Sequence, residues 1–251
     1  MKTNKIYNEN CLDTMSRMND SFIDLTVTSP PYDNLREYKG YSFDFEPIAK
    51  ELYRVTKGGG VVVWIVGDAT IKGSESGTSF KQALYFKECG FNLHDTMIYQ
   101  KSTPPLTHNR YEQNFEYMFI FSKGKINTFN GIRESRKYKD NREDKAFGKN
   151  KDDSIDRGYS SKDTTRLKRN VWKFFASGGS SDKIASNHPA IFPEQLANDH
   201  IISWSNENDI VYDPFAGSGT TAKMSIANNR NWIASEISEE YCLIAKDRIS
   251  Q

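Results

Sequence analysis

Histidine and cysteine are scarce in this sequence, four and three residues among 251. Cys11, Cys89 and Cys242 are scattered, with no C-x-x-C spacing, so no zinc site or other metal centre is expected. An odd, unpaired set of thiols argues against a disulfide scaffold. It fits a reducing compartment, which makes a cytoplasmic location the expectation. Long apolar runs are lacking as well. Val61–Val66 is the longest and is far too short to span a bilayer, so no membrane association is expected. The polar N-terminal segment has no stretch like a secretory signal. Charge of one sign is not in excess: the formal net charge is +1. The overall balance therefore neither favours nor excludes a polyanionic partner, and the local distribution of charge has to decide.

What is present reads as an ordinary globular chain, 37% hydrophobic and 27% charged. Its length suits one sizeable core, either a single large domain or a domain with an insertion. Ile23–Thr28 is a β-rich run that stops at Ser29-Pro30-Pro31-Tyr32, because two prolines cannot continue a sheet ladder. Phe45–Val55 has apolar residues at helical spacing. Lys57-Gly58-Gly59-Gly60 ends that helix, and Val61–Val66 then reads as a buried parallel strand. A helix over Ser79–Cys89 and strands over His94–Tyr99 and Tyr117–Phe121 follow. After Pro189 come a helix (Glu194–Ile202), a strand (Ile210–Tyr212), a helix (Thr221–Asn228), a strand (Trp232–Ser235) and a last helix (Glu239–Ile249). This alternation predicts an α/β fold, a doubly wound, mostly parallel sheet with helices on both faces.

Between about Lys123 and Lys173 apolar residues thin out and charges crowd together. Arg133, Arg136, Lys137, Lys139, Arg142, Lys145, Lys149 and Lys151 form one group; Arg166, Lys168, Arg169 and Lys173 form another. Asp140, Glu143, Asp144, Asp152, Asp153 and Asp156 are interleaved, so this is no simple polybasic tail. Two readings stay open: a solvated loop, or a surface that meets nucleic-acid phosphates and bases.

Two loops carry the chemistry. Asp213-Pro214-Phe215-Ala216-Gly217-Ser218-Gly219-Thr220-Thr221 joins a predicted strand to a predicted helix. Gly217 and Gly219 allow a tight turn and close approach of a ligand to the backbone. Glu236 ends the next predicted strand, where an acidic side chain in doubly wound folds accepts hydrogen bonds from ribose hydroxyls. Alone, this loop is also what a tight turn without any ligand looks like. No Gly-Lys-Ser/Thr follows, which excludes a P-loop, and Ala222 leaves the dinucleotide pattern GxGxxG incomplete. The second loop is Ser29–Tyr32. Pro30 forces Ser29 into an extended backbone. Such a rigid loop fixes carbonyl oxygens and one hydroxyl as acceptors for an amino group, and Tyr32 offers a flat face for stacking. A rigid turn with a buried tyrosine is the plainer alternative.

Taken together, the pair resembles the beta group of DNA amino-methyltransferases, in which an SPPY or DPPY motif precedes a recognition region and an FxGxG cofactor motif follows it. Here Thr28–Tyr32 comes first, the charged region next, then Asp213–Thr221. His188-Pro189-Ala190 with Phe192-Pro193-Glu194 is similar to the family's stretch before the cofactor loop; Asn170-Val171-Trp172, Ile98–Lys101 and Phe115–Tyr117 also match. The family commonly has Asp before Cys near the N-terminus, whereas this chain has Asn10 before Cys11.

The resemblance implies a Rossmann-like methyltransferase fold over 1–251, with target recognition at about 123–173. It implies S-adenosylmethionine as cofactor, with S-adenosylhomocysteine as product and no metal. Asn10, Cys11, His188, Phe192, Pro193, Asp213, Pro214, Phe215, Gly217, Gly219, Thr220 and Glu236 would hold that cofactor. Ser29, Pro30, Pro31 and Tyr32 would be catalytic, and Arg133, Arg136, Lys137, Arg166, Lys168 and Arg169 would contact double-stranded DNA. A homodimer and a cognate restriction endonuclease are further expectations from the resemblance. The implied reaction is methylation of an exocyclic amino group on a flipped base. The Ser29 side chain and the Pro30 carbonyl would accept hydrogen bonds from that amino group. Ser in SPPY favours cytosine N4, with adenine N6 as the alternative. Cytosine C5 methylation needs a cysteine nucleophile, which that family presents after a proline; no cysteine here follows one.

Overall fold

The computed structural model describes residues 1–31, 43–101, 111, 113–135, 147–149, 155–157, 164–174 and 193–250. In chain order the elements are β1 (Lys5–Tyr7), α1 (Cys11–Ser16), β2 (Ile23–Thr28), α2 (Phe45–Val55), β3 (Thr56–Val66), the short pair β4 (Thr70–Ile71) and β5 (Ser74–Glu75), and α3 (Thr78–Glu88). Then follow β6 (Asn92–Lys101), β7 (Phe115–Ser122), β8 (Arg133–Ser135), β9 (Phe147–Lys149), β10 (Ile155–Arg157), β11 (Thr165–Leu167) and β12 (Val171–Phe174). The chain closes with α4 (Glu194–Trp204), β13 (Ile210–Asp213), α5 (Thr220–Ala227), β14 (Asn231–Ser235) and α6 (Glu239–Ile249).

Among the described residues the main sheet has eight strands in the order β1-β14-β13-β2-β3-β7-β6-β12. All neighbours are parallel except β7, which is antiparallel to β3 and β6. The central strands are buried on both faces: Leu25, Val27, Val62, Val63, Ile65 and Val211 are essentially inaccessible. That is why they read as continuous apolar runs rather than alternating ones. On one face, α1, α2 and α3 cover a core built around Met15, Leu52, Trp64, Phe86 and Phe121. On the other, Ile6, Ala222, Trp232 and Ala245 close a second core under α5 and α6. No helix among the described residues is long and apolar enough to cross a membrane.

The glycine run before Val61 does not precede its strand. β3 begins at Thr56 and runs through it. Ile23 pairs with Thr56 and Leu25 with Val61, so the glycines bulge out of register against β2. Gly59 takes a φ of +82°, and a Cβ on Gly60 would lie 2.8 Å from the Asp24 carbonyl. Glycine here permits a bulge inside a strand, a use that looks like a stop signal in sequence.

Two compact units are present: residues 1–130 with 170–251, and Gly131–Arg169. The second unit is narrower than the 123–173 span read from charge density. Lys123 belongs to the sheet unit, where its Nζ donates to the carbonyls of Tyr53 (2.7 Å) and Thr56 (2.8 Å) and burial lowers its pKa. Val171–Phe174 is the sheet's edge strand, paired in parallel with Ile98–Lys101. Within the second unit, β8 pairs with β11 and β9 with β10, all antiparallel.

Candidate active site

Sheet order singles out one place on this molecule. From β2 the chain passes through α2 to β3, on one side of β2. From β13 it passes through α5 to β14, on the other side of β13. The adjacent strands β13 and β2 therefore flank the point where strand order reverses. In open α/β sheets, ligands bind beyond the carboxyl ends of the strands at such a point. The loop after β2 begins with Ser29, and the loop after β13 begins with Pro214. The two motifs, whose roots are 185 positions apart in sequence, are thus neighbours in space.

A buried hydrogen bond joins the two loops at their roots. Thr28 Oγ1 donates to Asp213 Oδ1 at 2.7 Å, and the Phe215 N–H donates to the same oxygen at 3.0 Å. Thr221 Oγ1, in the first turn of α5, donates to the Val27 carbonyl at 3.1 Å. Ser29 is half-buried and Pro30 buried behind it. Phe215 packs edge-on against Phe43, ring centroids 5.6 Å apart.

The glycine loop turns through left-handed backbone at Gly217 (φ +49°) and Gly219 (φ +79°). Gly219 is also the N-cap of α5, with no side chain bonded across the cap. Glu236 follows β14 and reaches back to this turn. Its Oε2 accepts from the Gly217 N–H (2.8 Å) and its Oε1 from the Ser238 N–H (2.9 Å). Glu236, expected to accept from ribose hydroxyls, is thus itself part of what shapes the glycine loop. An ionised carboxylate has about four acceptor sites, so capacity remains for a ligand. Burial raises the Glu236 pKa, against the N–H donors that lower it.

Asn10 is engaged locally: its side chain caps α1 by accepting from the Leu12 N–H at 2.9 Å. Cys11 is buried beside it, and burial pushes its thiol up to about 12. Asn8, which sequence reading passed over, donates to the carbonyls of Glu236 (2.9 Å) and Ile237 (3.1 Å) and ties this segment to the end of β14. Pro193 occupies the N-cap position of α4. Tyr32, His188, Phe192, Arg136 and Lys137 lie outside the described residues.

In the second unit, Arg166 is ion-paired with Glu134 at 2.7 Å across β8 and β11. Arg133 donates to Thr165 Oγ1 at 2.9 Å, and Arg169 is exposed. The density of basic residues in sequence therefore overstates the available charge, because Glu134 neutralises Arg166 across the two strands.

Burial pushes the Asp213 carboxyl from 3.8 up to about 6, with the Thr28 and Phe215 donors offsetting part of the rise. A raised carboxyl binds its proton more tightly in the folded chain than in the unfolded one. Its contribution to stability is therefore fully present below about pH 3.8 and is lost as the pH rises through about 6. The shift corresponds to about 3 kcal/mol. Asp213→Asn keeps an acceptor toward Thr28 and Phe215 and cannot titrate. It is expected to flatten the stability profile between about pH 4 and 7, as read from urea melts across that range. A variant profile as steep as the wild type would show that other groups set it.

This chain is similar to several known proteins. The DNA methylase family matches residues 23–247. An orphan methyltransferase, M.BamHII of Bacillus amyloliquefaciens, is 58% identical over 92% of this chain and 89% of its own length. The type II methyltransferase M.HpaI of Haemophilus parainfluenzae is 30% identical over 96% of this chain and 72% of its own. Among solved structures, the cytosine-N4-specific PvuII DNA methyltransferase superposes with a TM-score of 0.74 at 20% identity, covering 99% of this chain and 86% of that one. A putative DNA modification methylase from Thermus thermophilus, complexed with S-adenosyl-L-methionine, gives a TM-score of 0.68 at 21% identity over 98% and 93%. These likenesses give the sheet and its helices a Rossmann-like methyltransferase fold. By the extent of the family match and the closeness of these relatives, the chain belongs to the DNA methylase family.

Proposed function

We propose that this protein transfers a methyl group from S-adenosylmethionine to the exocyclic amino group of a flipped base in double-stranded DNA, and that the base is cytosine, methylated at N4. The observation that supports it best is the Thr28–Asp213 bond, which sets the SPPY loop and the glycine loop side by side at the switch point. The residues present fit the cofactor. Gly217 and Gly219 turn through left-handed backbone and carry no side chain between the loop and a ligand, while the space a Cβ on Gly219 would take is held by Ala245 of α6. Glu236 closes the far side with acceptor capacity for ribose hydroxyls. The Phe215 ring and the segment leading to Pro193 would complete the pocket, with Asn10 and Cys11 at the start of α1.

S-adenosylmethionine supplies a methyl group bound to a positively charged sulfur. The protein's task is to make a poor nucleophile competent. An exocyclic amine delocalises its lone pair into the ring. The Ser29 side chain and the Pro30 carbonyl accept hydrogen bonds from its two N–H groups and so localise that pair toward the incoming carbon. Tyr32 stacks on the base and keeps it out of the duplex. In-line transfer then depends on positioning more than on a strong base. Of the charged residues, Arg133, Arg136, Lys137, Lys168 and Arg169 are assigned to DNA phosphates, and Arg166 joins them only by giving up Glu134. The orphan description of the 58% identical relative supports an enzyme that works without a dedicated endonuclease.

The test is mass spectrometry of nucleosides from DNA incubated with the protein and isotopically labelled cofactor. Labelled N4-methylcytosine is the expected product. Labelled N6-methyladenine would keep the mechanism and overturn the base. DNA of varied sequence left without label would overturn the reaction.

A further inference from the structure

Arg248, near the end of α6, is 1% exposed, the most deeply buried arginine among the described residues. Its Nη1 donates to the Ser218 carbonyl (2.7 Å), to Ser218 Oγ (2.8 Å) and to Thr220 Oγ1 (3.2 Å). Its Nη2 donates to Glu194 Oε1 at 2.8 Å. Lys223, on α5, donates to that same carboxylate oxygen at 2.8 Å. Ala245 lies three residues earlier, on the same face of α6, and is the residue against which Gly219 rests. One helix face therefore underlies the whole turn: Ala245 meets its middle residue, and Arg248 holds the residues on either side.

A guanidinium this deeply buried is costly unless paired and fully bonded. A well-packed apolar side chain would seat α6 equally well for stability alone. What an apolar residue could not do is hold a carbonyl and two hydroxyls of an irregular loop in one geometry. Arginine's planar fork of donors suits that task, and lysine's single ammonium does not. The second arm reaches Glu194, the first residue of α4, directly after Pro193. So Arg248 bonds to the glycine loop and to the residue that follows Pro193, bracing two of the segments proposed to hold the cofactor.

We propose that Arg248 is a positioning residue for S-adenosylmethionine: from behind, it fixes the Ser218–Thr220 turn and the start of α4 in the arrangement the cofactor requires. This rests on the reading of the glycine loop as the cofactor site. Arg248 touches neither substrate nor the transferred group, so its loss acts on binding rather than on the chemical step.

The experiment is calorimetric titration of S-adenosylmethionine into the full-length wild type, Arg248→Lys and Glu194→Gln, with steady-state kinetics on DNA alongside. Arg248→Lys is expected to raise the cofactor Kd, and its KM with it, by about 10-fold or more, the scale of a lost charge-assisted bond. Its kcat at saturating cofactor and its DNA affinity stay close to wild type. Glu194→Gln moves the same two quantities in the same direction by a smaller factor. A merely structural role would lower the melting temperature and leave the Kd of the folded protein unchanged, and that result would overturn the proposal. Should Arg248→Lys fail to fold, Ser218→Ala removes one acceptor and leaves the charge paired with Glu194. An unchanged Kd in both Ser218→Ala and Glu194→Gln would then overturn it. A wild type that binds no cofactor would sink the glycine-loop reading, and this proposal with it.

Discussion

Ser29→Ala is expected to lower the rate of methyl transfer by about 100-fold or more while the cofactor Kd stays near the wild-type value. The hydroxyl is one of two acceptors proposed for the target amine, and the other, the Pro30 carbonyl, is backbone and survives the change. An acceptor aimed at charge that develops during reaction acts in the transition state more than in the ground state, so the loss falls on kcat. The site's architecture isolates the effect. Ser29 follows Thr28, whose side chain bonds to Asp213, and that bond does not involve the Ser29 side chain. Tyr32→Ala is expected to be as severe, through loss of the stacking surface. Rapid-quench kinetics with cofactor titration would separate the two quantities. A variant that loses cofactor affinity and keeps its chemical rate would reverse the assigned roles.

The second large effect is expected at Gly219. Gly219→Ala forces a side chain into left-handed backbone at φ +79°, which costs about 1–2 kcal/mol. The new Cβ also lies 2.9 Å from the Ala245 Cβ and 3.2 Å from its Cα. The second contact is with the backbone of α6, so relief requires moving a helix, and overpacking of this kind typically costs ~1–3 kcal/mol more. Both terms act on the loop assigned to the cofactor. The expected result is a lower melting temperature together with loss of measurable S-adenosylmethionine binding. Normal stability and normal binding in Gly219→Ala would mean that the turn adopts another shape in solution.

Local chemistry made part of this legible from sequence. Two prolines stop β2 wherever they occur, and two glycines between a strand and a helix announce a turn that approaches something closely. The limits of α2, α5 and α6 follow from spacing and flanking residues, because a helix's ends depend on near neighbours. What sequence hid was interaction at long range. Arg248 sits in a helix with Lys246 and Asp247 beside it and reads as part of a solvated face; only the fold shows that it points inward. Lys123 was read with the charged region because charge density records composition and not carbonyl partners. β1 was not anticipated, since Lys5–Tyr7 has no apolar run, and its existence depends on pairing with β14 at the opposite end of the chain. The Thr28–Asp213 bond, which unites the two motifs, spans 185 positions.

The order of strands also has a consequence for how the molecule comes into being. β1 and β2 are made first, yet they are not neighbours; β14 and β13, made last, fill the space between them. Until Ile210–Ser235 has left the ribosome, the edge of β2 that will receive Val211 and Tyr212 has no partner. Synthesis proceeds at about 5–20 residues per second, so β2 waits seconds as an open edge and β1 waits as long for β14, its one neighbour in the sheet. Pairings of such long sequence separation form late and slowly. The Ser29 loop borders that open edge, and the glycine loop arrives with β13 itself. A nascent chain therefore holds its Ser29 loop without the Asp213 that steadies it, and methylating competence arrives all at once, when the last two strands enter.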